Sequence, residues 1–332
     1  MNLRRAVRVA FALLTLAAPL PTQAAPACKG VDLIAALKRA DKAGHAAFEA
    51  EAAQVPAGRG LLWRIEKQGV APSHLFGTFH AGDPRLLKVA GRADPLVKGA
   101  SIVATELGDM SSAAKTLAMA ATAFAGISAD NRSLSLVEGE DKRATLAKLA
   151  QERGLDRDTL ETMAPWMLVG LFALPACEFA RKDHETVDER VMSAARKAGV
   201  AIAALETVDE QLDAIRSIDA KLIGDYLGVI ADRPALIDDG FATMVALYAA
   251  SRVGAIEAAM KHGLKLTERQ SLLTEDVSKR LVIDRNRTMA KRATPLLEKG
   301  RAFIAVGALH LVGARGMVEL LRLDGWTVTR VW

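Results

Sequence analysis

The chain has 332 residues, 25% of them charged, and a formal net charge of +5 at pH 7. Three of its cations, Arg4, Arg5 and Arg8, fall in the first eight residues, so the remainder carries only +2. A near-neutral body gives no electrostatic reason to expect nucleic-acid binding, and no later apolar run reaches the about 20 residues that span a bilayer.

Taken in order, the chain begins with the arginines, an apolar run over residues 9–20 and a small-residue site, Thr22-Gln23-Ala24-Ala25. Charged, apolar, small is the order of a secretory signal peptide. Residues 1–25 are therefore expected to be removed, with cleavage near Ala24 or Ala25, leaving a periplasmic or secreted protein without stable membrane insertion. The rest, 26–332, reads as a single domain. Cys28 and Cys177 both survive cleavage. In an oxidising compartment an isolated pair tends to become a disulfide, here closing a loop of roughly 150 residues and stabilising by several kcal/mol in the chain-entropy model. Two separate buried thiols are the alternative.

Residues 28–53 read as a helix from the spacing of Leu33, Ile34, Leu37 and Ala40. Pro56-Ala57-Gly58 ends it. Residues 61–67 form a strand, Gln68-Gly69 a turn and residues 74–77 a second strand, delivering the chain to Gly77-Thr78-Phe79-His80. A short helix at 94–98 precedes an apolar strand at 100–105, expected to be covered on both faces, which ends at Glu106. A helical subregion covers about 111–260, with helices at 112–124, 141–152, 158–174, 186–197, 218–230 and 240–251. Its Met163, Trp166, Met167 and Phe172 read as core. Within it, a second buried strand at 200–205 ends at Glu206. A helix at 288–299, a strand at 301–306 running into Gly307-Ala308-Leu309-His310, a helix at 314–324 and a closing strand at 326–331 complete the chain. The fold class is α/β (mixed α+β): a central sheet with strand-GxxH-helix units flanked by helices, and a helical insertion in the middle.

Four strands thus end at His80, Glu106, Glu206 and His310, an order that suggests a loose symmetry of two halves. Parallel α/β sheets bind ligands beyond the carboxyl ends of their strands, so these residues are expected to share a crevice. The glycine three places before each histidine is expected to let the chain turn sharply off its strand. Imidazole nitrogen and carboxylate oxygen suit a divalent metal such as manganese, cobalt or zinc, and a metal with an open position activates water for hydrolysis. His45, His74, His184 and His262 stand in charged or turn-like contexts and are expected to be solvated.

Leu61-Leu62-Trp63-Arg64-Ile65-Glu66, then Leu75-Phe76-Gly77-Thr78-Phe79-His80-Ala81-Gly82-Asp83-Pro84-Arg85, resembles the opening of the TraB/GumN (TraB/PrgY/GumN) family. The closing Phe303-Ile304-Ala305-Val306-Gly307-Ala308-Leu309-His310-Leu311, with Gly325-Trp326-Thr327-Val328, resembles its ending. Ala104-Thr105-Glu106-Leu107, Leu205-Glu206-Thr207 and Asp284-Arg285-Asn286 are similar to signatures between them. Cys28-Lys29-Gly30-Val31-Asp32-Leu33 and Pro175-Ala176-Cys177 look like a pairing in exported members. The resemblance implies a bacterial protein related to the Tiki metalloproteases. It puts His80, His310 and Glu106 at a metal or its water and Arg285 as electrostatic partner; Glu206 is read either as a further ligand or as a helix N-terminal carboxylate that satisfies backbone donors. Asp284 and Thr105 depart from the residues common at their places. By this resemblance the chain is expected to be a peptidase-like metal-dependent hydrolase taking a peptide or small-molecule ligand, with Glu106 and Arg285 catalytic. The alternatives are a non-catalytic periplasmic ligand- or metal-binding protein, and a scaffold that keeps the motifs for folding alone.

Overall fold

The computed structural model describes residues 27–109, 126, 133–181 and 185–332. The segment expected to be a signal peptide, the helix expected at 112–124 and His184 lie outside the described residues. Six strands form one mixed sheet: β1 Leu62–Lys67, β2 Val70–Thr78, β3 Ile102–Thr105, β4 Ile202–Ala204, β5 Ala302–Gly307 and β6 Thr327–Arg330, in the order β4-β3-β5-β2-β1-β6. Strands β4, β3, β5 and β2 are mutually parallel; β1 is antiparallel to both β2 and β6. The expected mixed α/β architecture is present.

Alternation along the strands separates two apolar layers. Leu62, Phe76, Val103, Phe303 and Ala305 pack on one face. Trp63, Ile65, Leu75, Ala104, Ile304 and Val306 pack on the other. Both faces of β5 are covered and all six of its residues are buried, so its near-continuous apolar run matches its central place. Each buried Phe, Ile or Val there stabilises by about 1.5–3 kcal/mol relative to exposure. A third apolar cluster, including Leu146, Leu160, Phe172 and Leu227, gives the helical middle a core of its own. The expected core residues Met163 and Phe172 are buried within it, with Trp166 and Met167 packed against it.

Several boundaries differ from the sequence expectation. The helix at 28–53 is two, Leu33–Ala40 and Lys42–Ala53, because Asp41 leaves the helical conformation and its carboxylate caps the Gly44 N–H. The helix at 158–174 is likewise Arg157–Thr162 and Pro165–Ala173. Pro165 forces Ala164 into an extended conformation (ψ 143°). β4 is only half-buried, because it is an edge strand paired to β3 alone. The last helix starts only at Met317. Residues 256–278, to which the sequence pattern assigns no element, form helices Ile256–Gly263 and Glu268–Ser278.

Cys28 and Cys177 form a disulfide, with Cα atoms 5.8 Å apart and 149 positions between them in sequence. Among the described residues no helix is long and apolar enough to cross a membrane.

Candidate metal centre

The four parallel strands deliver their carboxyl ends to one edge of the sheet, and with them the four predicted strand-end residues. Glu106, one step beyond β3, is the hub. Its Oε1 lies 3.9 Å from His80 Nε2 and 3.7 Å from His310 Nε2, and accepts the Gly307 N–H at 2.7 Å. Its Oε2 accepts from Arg285 Nη2 at 2.7 Å and from Gln211 Nε2 at 3.3 Å.

The two GxxH glycines serve space rather than a sharp turn. A Cβ on Gly307 would stand 3.2 Å from Glu106 Oε1, 3.5 Å from His80 Nε2 and 3.5 Å from His310 Cδ2. A Cβ on Gly77 would meet Leu311 Cδ1 at 2.8 Å and Ala308 Cα at 3.0 Å. Gly307 keeps a negative φ of −48°, which any residue adopts. A Cβ there would press on the Glu106 carboxylate and touch both imidazoles, whereas at Gly77 it would clash.

Each histidine is held through Nδ1. His310 Nδ1 lies 2.6 Å from Asn286 Oδ1, and the Asn286 amide nitrogen donates to Arg315 O at 2.9 Å, which fixes the amide with its oxygen toward the ring. His80 Nδ1 lies 2.9 Å from Asp188 Oδ2, and Asp188 Oδ1 accepts from Thr78 Oγ1 at 2.5 Å. Asp188 was not foreseen from the sequence. It sits in the first turn of helix Val187–Lys197, and Asn286 just after the π-helical residues Lys279–Ile283 that join Glu268–Ser278 to Asp284–Glu298; Val187–Lys197 and Asp284–Glu298 run directly into β4 and β5. A helix feeding a parallel strand starts at the carboxyl edge of the sheet, so an acid or amide in that first turn was the available signal.

Arg285 belongs to the same first turn as Asn286, just after a π-helical turn, Lys279–Ile283, a feature often found at functional sites. Its Nε donates to Glu206 Oε2 at 2.9 Å, its Nη2 also meets Glu206 Oε1, and its Nη1 donates to Leu281 O at 2.5 Å. Glu206 is 4% exposed and has both oxygens on Arg285. The structure therefore brings Glu206 to the centre as the partner of Arg285, not with an oxygen turned to the imidazoles.

Electrostatically the two histidines diverge. Burial pushes His310 down to about 4, opposed by Glu106 and reinforced by Arg285, so its ring is neutral at pH 7. Asp188 raises His80 above its ordinary value against the effect of desolvation, with help from Glu106. The His80 side chain is 64% exposed, and water screens part of that pull. Burial works against the charged form of Glu106. The facing imidazoles, Arg285 and the Gly307 N–H outweigh it and hold the carboxyl well below the usual carboxylate range.

Imidazole nitrogen and carboxylate oxygen are donor types that a divalent cation takes. Glu106 and Glu206 share the Arg285 guanidinium, while Asp188 faces His80 and Thr78. Two imidazole Nε2 atoms face one carboxylate oxygen at distances too long for hydrogen bonds. The Thr105 hydroxyl, one residue before Glu106, is buried without a hydrogen-bond partner.

Cys28, Asp83 and Glu178 also place ligand-type atoms within 4.8 Å of one another. There the Cys28 sulfur is in the disulfide, Asp83 is paired with Arg85 at 2.8 Å, and Glu178 with Arg181 at 2.7 Å. With a thioether-like sulfur and two arginines already neutralising the carboxylates, this cluster reads as an ion-paired brace. His45, His74 and His262 are half-buried rather than solvated. His262 Nε2 lies 2.9 Å from Glu51 Oε2 and His45 Nε2 3.6 Å from Glu49 Oε1, and His74 stands across the hairpin from Arg64.

The model of the TraB/PrgY/gumN family matches residues 61–330, a span that runs from β1 to β6 and includes every residue of the centre. No curated protein and no solved structure matches the chain. The chain belongs to the TraB/PrgY/gumN family.

Proposed function

We propose that this TraB/PrgY/gumN-family chain is an exported, metal-dependent hydrolase of the peptidase type, with its metal held by His80, His310 and Glu106. The observation that carries the reading is the convergence of both Nε2 atoms on Glu106 Oε1, at 3.9 and 3.7 Å, around a glycine whose missing side chain leaves the space. Export is supported by the N-terminal leader pattern and by the disulfide, which persists in oxidising compartments. Manganese, cobalt and zinc all match this mixed nitrogen and oxygen set. Such a metal would supply Lewis acidity toward water and a scissile carbonyl.

The residues divide the remaining work. His310 is neutral and buried, so its Nε2 lone pair is available at pH 7. Glu106 offers Oε1 to the centre while Arg285 holds Oε2. A carboxyl kept so far below neutral is a weak base, which favours Glu106 as ligand over Glu106 as proton acceptor. Arg285 uses Nε, Nη1 and Nη2 on Glu206, Leu281 O and Glu106. Its role is then to keep two carboxylates ionised and fixed. That same observation favours the second reading, a binding protein without turnover, because Arg285 has no donor pair left to face a developing oxyanion.

The test is hydrolysis of a peptide library by the mature chain loaded with manganese, cobalt or zinc, beside His80→Ala and His310→Ala. Cleavage by the parent and its loss in both folded variants supports the hydrolase. Stoichiometric metal without cleavage supports the binding reading. Failure to take up any of the three metals contradicts both.

A further inference from the structure

His80 has a problem that His310 does not. The His310 ring is 4% exposed and walled in by its surroundings, whereas the His80 side chain is 64% exposed and stands beyond the end of β2. Packing does not hold an imidazole so exposed. We infer that Asp188 is the positioning residue of the centre: its carboxylate, anchored by Thr78, fixes the His80 ring so that Nε2 faces the metal site.

This role rests on the metal-centre reading above and on three further features. First, the carboxylate is bidentate in function, with Oδ1 on Thr78 Oγ1 at 2.5 Å and Oδ2 on His80 Nδ1 at 2.9 Å. Thr78 and His80 are two residues apart, so Asp188 ties the ring to the strand end from which it hangs. A carboxylate has only acceptor sites, so it keeps hydrogen on Nδ1 and makes Nε2 the ligand atom once a metal displaces the proton there. Second, Asp188 cannot drift. It lies in the first turn of Val187–Lys197, whose start is closed by a capping box between Thr186 and Glu189, and an acid there is favoured by the helix dipole. The Val187 N–H donates to Ala81 O at 3.2 Å, joining this helix start to the residue after His80. Third, His310 has the equivalent arrangement, with Asn286 on its Nδ1. Both histidines are thus oriented through Nδ1, His80 by a residue at a capped helix start and His310 by one just after a π-helical turn.

The experiment is titration of the full mature protein with Co2+, followed by its visible absorption, for the parent, Asp188→Asn, Asp188→Glu and Thr78→Val. Loss of an orienting partner behind a histidine ligand weakens metal binding by about 10–100-fold, and this is expected for Asp188→Asn at an unchanged melting temperature. Asp188→Glu should recover much of the affinity, and Thr78→Val should fall between Asp188→Asn and the parent. Parent-like Co2+ affinity in Asp188→Asn overturns the inference while leaving the metal centre standing. So does a loss in Asp188→Asn that Asp188→Glu shares in full and that tracks a lowered melting temperature, since that marks a purely structural residue. A parent protein that binds no Co2+ overturns the metal centre and this inference together.

Discussion

His80 and His310 approach the same carboxylate oxygen within 0.2 Å of equal distance, yet their surroundings are opposite. His310 is buried, backed by a neutral amide and pushed toward the neutral form. His80 is exposed, backed by a carboxylate and pulled toward the charged form. The difference teaches that the GxxH motif fixes where an imidazole arrives, while burial around His310 and the Asp188 carboxylate behind His80 set how tightly each ring holds a proton. One histidine is a permanent part of the core and the other is an outer jaw.

The largest expected effect removes what both histidines share. Arg285→Met leaves Glu106 and Glu206 buried without their cation, and breaking a buried pair in this way costs about 3–5 kcal/mol. Urea unfolding should show it, and a change below about 1 kcal/mol would mean that the carboxylates find other partners. Next comes the comparison itself. His310→Ala strands the Asn286 carbonyl in the interior and should cost about 1–3 kcal/mol. His80→Ala, at an exposed position, should stay within about 0.5 kcal/mol. Equal costs would erase the distinction between core and jaw.

The same pair of positions can be read through pH. The unfolded His310 titrates near its ordinary 6.5 and the folded one at about 4. Between these values the unfolded chain binds the extra proton, so stability present above pH 6.5 is lost as pH falls toward 4. For His80 the folded value is raised, so its contribution is complete below 6.5 and fades as pH climbs through the folded value. The acid-side loss should be shallower in His310→Gln, and the alkaline-side loss shallower in His80→Gln. Denaturant midpoints from pH 4 to 9 would check both, and identical profiles would refute the assignment.

Much of this arrangement is legible in the sequence. The four strand ends are visible because buried parallel strands read as apolar runs, and each run stops at a polar residue: His80, Glu106, Glu206, His310. Helix breaks at Asp41 and Pro165 are harder, because the apolar spacing continues through them while a single cap or proline interrupts the backbone. The role of the GxxH glycines differs from the expected sharp turn for a related reason. Sequence shows a missing Cβ but not what it would touch, which at Gly307 is Glu106, His80 and His310. In Thr186-Val187-Asp188-Glu189 the acid Asp188 looks like an ordinary first-turn residue, and only its place in a helix that feeds a parallel strand marks it. Its contact with His80 spans 108 positions and exists only because the sheet order brings β2 and the helix before β4 to one edge. Glu206 and Arg285 are foreseeable as participants. That they face each other depends on the rotation of the helix after the π-helical turn, which no local pattern encodes.

The central claim is that one metal is held jointly by the two imidazoles and Glu106. X-ray absorption at the zinc edge of the mature protein loaded with one equivalent of zinc tests it most directly, because the outer-shell scattering counts imidazole ligands. The expected result is two imidazoles and at least one oxygen, falling to one imidazole in either His80→Ala or His310→Ala. A zinc ion without imidazole scattering, or one whose spectrum is the same in all three proteins, would contradict it.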